Sequence, residues 1–321
     1  MRGGVPETMR AAAIDRFGGP EVLTVRVLPV PRIDPDEVLI AVHTAGVGSW
    51  DAEMRAGWWP EGRPRFPLVL GTDGSGTVAA VGSRVRRLRR GQRIYSYSFA
   101  NPKGGFYAEY VAVAAEKAAP FPNRLGLKEA GAIPTTGLTA LQGIEHLRLK
   151  KRESMIVHGA SGGVGTLALQ FAKLRGVRVL ATASGRDGTA LARRLGADQA
   201  VDGRQEDVEA AARKFAPDGI DAVLATAGGK PLEQCLRAVR RGGRVAYPNG
   251  VEPAPSRWPG VKIIVYDAEV GVREFQRLDK AVESAKPKVV IAAAFPLEEA
   301  RKAHERIEAG HVLGKVVLRI R

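Results

Sequence analysis

The short apolar run Met155-Ile156-Val157-His158 leads into Gly159-Ala160-Ser161-Gly162-Gly163-Val164-Gly165, and a helix is expected to follow over Thr166 to Arg175. Strand, glycine turn and helix start in this order suit the binding of a diphosphate. Such a group reaches the amide N–H groups of a helix N-terminus only where no Cβ stands in the way and the turn can take positive φ. Gly162, Gly163 and Gly165 supply that room, with Ser161 and Val164 completing the loop. The spacing is G-x-x-G-G-x-G from Gly159, not a strict G-x-G-x-x-G, so its meaning depends on the elements around it.

Those elements fit. Val177 to Ala183 is a second β-rich run, ending where the second strand of a βαβ unit should end, and the chain continues Ser184-Gly185-Arg186 with no acid before Asp187. A ribose 2′-hydroxyl calls for an Asp or Glu at this point, whereas a 2′-phosphate calls for hydroxyls and a guanidinium. Ser184 and Arg186 therefore favour NADPH over NADH. The alternative is that Arg186 only opens the next helix in solvent.

A nicotinamide cofactor carries its own hydride, so the protein need only hold it against an electron-poor carbon and receive the charge that develops on the acceptor oxygen. Tyr95, Tyr97 and Tyr107 are the side-chain candidates for that hydrogen-bond donor, although the reading favoured for each is a strand aromatic whose hydroxyl reaches solvent or a core partner. Trp58 and Trp59, adjacent in the proline-rich loop Gly57 to Pro67, suit either an interface or a substrate pocket wall. His158, His304 and Cys235 lie among apolar neighbours and read as core.

The elements that position these residues change character along the chain. Met9 to about residue 120 alternates short β-runs with turns: MRAAAID, EVLTVRVLPV, EVLIAVHT, RIYSYSF and Gly104 to Val113, with a helical turn from Ser49 as its candidate N-cap. From Lys128 onward, helical periodicity alternates with β-runs, the signature of a parallel sheet covered on both faces. The tail, strand then helix then strand from Lys288 to Ile320, could extend that sheet or return to the first domain. MRGGVPET reads as a flexible leader.

At 321 residues and 45% apolar content the chain accommodates two cores. The net charge of +15 fits an anionic partner, which could be a phosphorylated cofactor, RNA or an acidic surface. The densest basic run, Arg84 to Arg93, is expected to be a solvated loop, since no RNA-binding aromatic motif accompanies it. The single cysteine excludes an internal disulfide and a zinc site built on several thiolates. With neither a spanning apolar run nor a signal-peptide pattern, the expectation is a cytoplasmic protein with no membrane association.

Taken together, MRAAAIDRFGGPEVL, LGTDGSGTVAAVG, GGFYAEYVAV, IPTTGLTAL, HGASGGVG, LGAD, GGRV and EAGHVLGKVVL resemble, in order and over nearly the whole chain, the medium-chain dehydrogenase/reductases. Within them the sequence is most similar to the zinc-independent, zeta-crystallin-like quinone oxidoreductases. The resemblance implies an α/β protein with a GroES-like β-domain (9–127), a Rossmann doubly wound parallel-sheet domain (128–287) and a return to the GroES-like domain (288–321). It implies NADPH-dependent reduction of quinones or of the C=C bond of α,β-unsaturated carbonyls, without zinc, in a homodimer. RNA binding occurs in some members and is possible here without being favoured.

By position, Ser161, Gly162, Gly163 and Val164 match the pyrophosphate loop, and Ser184 and Arg186 the 2′-phosphate site. Thr136, Asn249 and Gly250 match the nicotinamide side, and Lys315 a position near the cofactor. Gly48, Trp58 and Trp59 are assigned to the substrate pocket. Zinc-using relatives carry Cys where this chain has Gly48, and a His-Glu pair where it has Thr72-Asp73. Quinone reductases often carry Asn at Gly48 and Tyr near Asp202-Gly203. The rival readings are a zinc-free alcohol or aldehyde reductase and an RNA-binding or crystallin-like structural protein.

Overall fold

The computed structural model describes residues 4–60 and 62–321. Residues 1–3 of the expected leader lie outside the described residues, and its last residue, Thr8, already opens the strand Thr8–Ile14.

The chain packs as two compact units. One comprises the chain up to Thr135 with Val270–Asp279 and Ile291–Arg321; the other comprises Thr136–Glu269 with Lys280–Val290.

In the first unit the long strand Glu37–Val47 organises the main sheet. Its first half pairs with Tyr110–Ala114, its second half with Lys315–Arg319, and its other edge with Asp73–Val81. Arg93–Tyr97 and Ala118–Pro120 continue the sheet beyond Asp73–Val81. The tail strands Ile291–Pro296 and Lys315–Arg319 run parallel to each other and join this sheet, which answers the question the tail's pattern left open. A second sheet holds Thr24–Pro29, Thr8–Ile14 and Leu68–Val69. Val38, Ile40, Val42, Phe106, Tyr107 and Leu318 belong to this unit's buried core.

The second unit is a six-stranded parallel sheet in the order Gln199–Asp202, Arg178–Ala183, Ser154–His158, Ile220–Ala225, Val239–Pro248, Lys262–Tyr266. Every residue of Ser154–His158 is buried, as a central parallel strand covered on both faces requires. The chain winds outward from this strand on one side and then crosses to Ile220–Ala225 on the other. The strand order therefore reverses beside the glycine loop, where open α/β sheets bind ligands at the carboxyl ends of their strands.

Several boundaries differ from the sequence expectation. Leu127–Ala132 packs with the first unit: Ala130, Gly131 and Ala132 are buried, and a Cβ on Gly131 would stand 2.6 Å from Thr44. Small residues let this helix lie directly on the sheet, which its periodicity could not reveal. The first half of Val272–Ala285 also belongs to this unit, because Phe275 packs its ring 4.7 Å from that of Tyr95. Gly104 to Val113 is not one strand: only Tyr110–Ala114 is regular, while the amides of Gly105, Phe106 and Tyr107 donate to the carbonyls of Val69, Gly71 and Leu70. Pro20–Val22 is a single tight turn ahead of Thr24–Pro29.

Ser49 is the first residue of the helix Ser49–Ala56 and not its N-cap. Gly48 holds the cap position, and its amide donates to the Asp51 carboxylate at 2.8 Å. No helix among the described residues is long and apolar enough to cross a membrane.

Candidate nucleotide site and a buried ionic cluster

The glycine loop and the Arg186 segment come together. The helix after the loop runs Gly163–Leu174, with Gly162 at the N-cap and no side chain capping it. Its first-turn amides thus face outward without a local competitor, which suits an anion. A Cβ on Gly162 would meet only the Gly159 carbonyl, at 3.5 Å, whereas one on Gly165 would stand 2.2 Å from it. Gly165 thus allows the turn and helix to pack, and Gly162 keeps open space at the helix mouth. Ser161 is buried beside them. The next helix, Gly185–Arg194, begins at the Ser184 N-cap, again without a side-chain cap. Its Gly188 lies so close that a Cβ there would stand 3.3 Å from Ser161 Oγ. Arg186, in the first turn, is exposed.

On the same edge of the sheet, Asn249 and Gly250 follow Val239–Pro248. The Asn249 amide donates to the Tyr266 carbonyl at 2.9 Å and its side chain accepts the Gly250 amide at 3.1 Å. Thr136 is buried near the start of the helix Pro134–His146. Thr226, which sequence reading passed over, donates its hydroxyl to the His158 carbonyl at 2.8 Å and shapes the turn at Gly159.

Within this unit His158 is a core residue, as its apolar surroundings suggest. Nδ1 lies 2.6 Å from Thr182 Oγ1, and burial pushes its pKa down to about 4, so it is neutral at pH 7. Cys235 is buried and its thiol is pushed up by burial, away from thiolate chemistry.

The first unit separates the residues assigned to a substrate pocket. Trp59 lines a pocket of about 1010 Å³ with Met9, Val69, Phe99 and Lys103. Trp58 is half exposed, 5.9 Å from the Phe99 ring. Gly48 is not among the lining residues: it is buried beneath the indole of Trp50, and a Cβ there would stand 2.3 Å from that ring.

Two of the three tyrosine candidates are core. Tyr95 is fully buried and donates to Asp279 at 2.5 Å; Tyr107 is fully buried, 3.3 Å from Asp51 Oδ2 and 3.2 Å from His304 Nε2. Burial, reinforced by these carboxylates, holds both phenols well above their ordinary pKa, so neither is a ready acid. Tyr97 ends the strand Arg93–Tyr97 and is half-buried. His304 is held neutral, its pKa pushed down to about 3 by burial and then by the Arg55 guanidinium.

A group that sequence reading did not assemble lies at the start of Ser49–Ala56. Asp51 is fully buried, accepting from Thr72 Oγ1 at 2.7 Å and from the Gly48 amide. Burial pushes it up to about 6, against the opposing pull of Lys315 and these hydrogen bonds. Asp73 Oδ2 accepts the Thr135 amide at 2.9 Å, and Lys315 Nζ stands 3.9 Å from Asp73 Oδ1 and 4.6 Å from the centre of the Trp50 ring. The one local signal was Asp51 three residues after Gly48, the spacing of a helix cap.

These residues do not fit a catalytic zinc. Gly48 offers no ligand atom, Thr72 is committed to Asp51, and an ammonium already faces Asp73, where it would repel a divalent cation. His43 Nδ1 contacts Thr44 Oγ1 instead, and no group of three potential ligands occurs among the described residues.

Part of the basic run, expected to be a solvated loop, makes local contacts. Arg84 pairs with Asp36, Arg87 donates to the carbonyls of Ala115 and Ala118, and Arg93 lies over the Phe121 ring.

Two family models match the chain: an alcohol dehydrogenase GroES-like domain over residues 34–123 and a zinc-binding dehydrogenase over 195–318. Mouse quinone oxidoreductase is 31% identical over 328 residues, covering 97% of each chain. The chloroplastic NADPH-dependent alkenal/one oxidoreductase of Arabidopsis thaliana is 31% identical, covering 98% of this chain and 80% of its own. A crystal structure of an NAD-dependent alcohol dehydrogenase superposes with a TM-score of 0.90 at 33% identity, covering 98% of this chain and all of its own. With sequence, sheet order and both family models in agreement, the chain belongs to the medium-chain dehydrogenase/reductase superfamily, in its quinone oxidoreductase branch, and is an oxidoreductase.

Proposed function

We propose that the protein is an NADPH-dependent, zinc-free reductase of quinones or of the C=C bond of α,β-unsaturated carbonyls. The observation that carries the cofactor is the pair of uncapped helix starts, Gly163 and Gly185, brought together by Gly188 and Ser161, with Arg186 in the second first turn. The amides of Gly163 and Val164, at the mouth formed by Ser161 and Gly162, would hold the diphosphate, and Ser184 with Arg186 the 2′-phosphate. Thr136, Asn249 and Gly250 would border the nicotinamide. NADPH supplies the hydride; the chain contributes orientation and a low-dielectric setting for developing charge. The names of the mouse and Arabidopsis relatives support the acceptor class.

The name of the NAD-dependent structural relative makes cofactor choice the first test. NADPH and NADH are titrated by fluorescence against wild type and Arg186→Ala. The expected result is NADPH binding at least tenfold tighter, with the substitution removing about 1.4 kcal/mol of that preference. Equal affinity for both nucleotides would sink the 2′-phosphate assignment, and no binding of either would sink the reductase. Metal analysis and turnover in chelator separate this reading from a zinc-dependent alcohol dehydrogenase. The protein would act on small molecules as a cytoplasmic homodimer, paired through the edge strand Lys262–Tyr266, where Val265 is 55% exposed. Sedimentation of a Val265→Lys variant as a monomer is the expected check.

A further inference from the structure

Of the five buried side-chain polar atoms without a partner among the described residues, all but Arg244 Nε lie in one place. Lys315 Nζ, Trp50 Nε1, Thr135 Oγ1 and Asp73 Oδ1 are all buried, and none has a hydrogen-bond partner there. They are contiguous: Thr135 donates its amide to Asp73, Asp73 faces Lys315, and Lys315 lies under the Trp50 ring. Three of the four are donors. Lys315 and Thr135 are each 5% exposed and Asp73 is fully buried. Unpaired buried donors cost free energy, and a buried ammonium without a hydrogen-bond partner is a group that can receive an oxygen carrying negative charge.

Packing holds the set in place. A Cβ on Gly46 would stand 2.2 Å from Asp73 Oδ1 and 2.8 Å from Lys315 Cε, so that glycine lets the ion pair sit against the sheet. Gly48 lets the Trp50 indole lie flat over the ammonium, which keeps the charge away from bulk water.

We propose that Lys315 is a catalytic residue: its ammonium, held by Asp73 and covered by Trp50, receives the carbonyl oxygen of the acceptor and donates the proton that completes reduction. This rests on the reductase reading above. The hydride supplied by NADPH, with its electron pair, bonds to the β-carbon of the enone. The C=C π pair shifts to form the C=C bond of an enolate, and the carbonyl π pair moves onto oxygen. An N–H bond of Lys315 breaks as the O–H bond of the enol forms, leaving a neutral amine that regains its proton from water. The enol then converts to the saturated ketone, and the net change consumes one NADPH and one proton.

The test compares wild type with Lys315→Met and with Lys315→Met/Asp73→Asn, the double variant avoiding a buried carboxylate left without its cation. The readouts are thermal midpoint, NADPH affinity, kcat with 2-cyclohexen-1-one and 9,10-phenanthrenequinone, and binding of 4-nitrophenol followed by its visible absorption. In the wild type, 4-nitrophenol should bind as the phenolate one pH unit below its free pKa. The folded variant should bind NADPH within twofold of wild type, lose at least tenfold in kcat and bind the phenolate at least tenfold more weakly.

A wild type that leaves the 4-nitrophenol spectrum unchanged overturns the proposal whether or not the variants fold. So does a kcat loss under tenfold, which would leave a buried water as the partner of these donors. A fall in NADPH affinity that accounts for the whole loss of kcat/KM would make Lys315 a cofactor ligand and overturn it as well. If the wild type reduces neither acceptor but still binds the phenolate through Lys315, the reductase reading fails and the oxyanion site stands.

Discussion

The two units prepare their sites by opposite means. In the parallel-sheet unit the nucleotide loop is built from backbone: four glycines within seven residues, two uncapped helix starts and one exposed guanidinium at Arg186. In the GroES-like unit the cluster is built from side chains that are buried, charged and incompletely paired, drawn from residues 50, 73, 135 and 315. A backbone site needs space; a side-chain site needs partners. The first should therefore fail sterically when a methyl group is added, and the second electrostatically when a charge is removed.

Within the nucleotide loop, the largest effect expected of a single methyl group comes at Gly165. Its Cβ would stand 2.2 Å from a carbonyl oxygen and 2.7 Å from the Ala160 Cα, all backbone that cannot rotate away. Gly165→Ala should cost about 3 kcal/mol or more and abolish NADPH binding. Three residues earlier, Gly162→Ala meets only one atom, at 3.5 Å, so stability should stay within about 0.5 kcal/mol of wild type while NADPH affinity falls at least tenfold. Calorimetry and titration of the two variants check this. Equal losses of stability would mean the loop is shaped for packing alone.

The next effect is acid sensitivity, and it should fall unequally on the units. His158 and His304 have folded pKa values of about 4 and about 3, below the ordinary value of 6.5. A depressed histidine contributes stability in full above about pH 6.5 and loses it as pH falls toward the folded value, by up to about 1.4 kcal/mol per pH unit. Asp51 has the opposite sign: raised from 3.8 to about 6, it makes its unit more stable as pH falls through that window. Asp51 and His304 share the GroES-like unit, so their slopes largely cancel between pH 6 and 4. His158 has no such counterweight in the parallel-sheet unit. Hydrogen exchange at pH 7 and pH 5, corrected for intrinsic rates, should show protection lost first around Ser154–His158 and Arg178–Ala183. Earlier loss in Glu37–Val47 would reverse the assignment.

This contrast also explains what was legible in the sequence. The glycine loop, the strand order it implies and the Ser184–Arg186 segment are local, and their chemistry depends on residues within about thirty positions of each other. The Asp73 and Lys315 partnership spans 242 positions and forms only because the tail strand returns to pair with Glu37–Val47. Val316 to Arg319 read as an ordinary strand, and nothing in that pattern says which sheet the strand joins. Tyr95 and Tyr107 could not be assigned from the sequence for a related reason: a strand tyrosine's hydroxyl is a catalyst or a core donor according to residues such as Asp279 and His304, far away in the chain. Trp50 was read only as part of a helical turn, because the residue that makes it informative is the ammonium beneath it.

The smallest effect is at Gly48, and it probes the cover of the cluster more than its charge. The Gly48 backbone is extended, at φ −121°, and accepts any residue; the nearest obstacle to a Cβ is the Trp50 ring, 2.3 Å away. That ring belongs to a half-buried side chain, so Gly48→Ala should turn the indole aside instead of disrupting the sheet. The cost should be about 1 kcal/mol, a drop of roughly 2–4 °C in thermal midpoint. The displaced indole would leave the ammonium open to water, which weakens its hold on an oxyanion because the local dielectric rises. Gly48→Ala should therefore bind 4-nitrophenolate several-fold more weakly than wild type while binding NADPH equally well. A variant that loses the 1 kcal/mol but keeps wild-type phenolate affinity would show that Trp50 packs over Lys315 without insulating it.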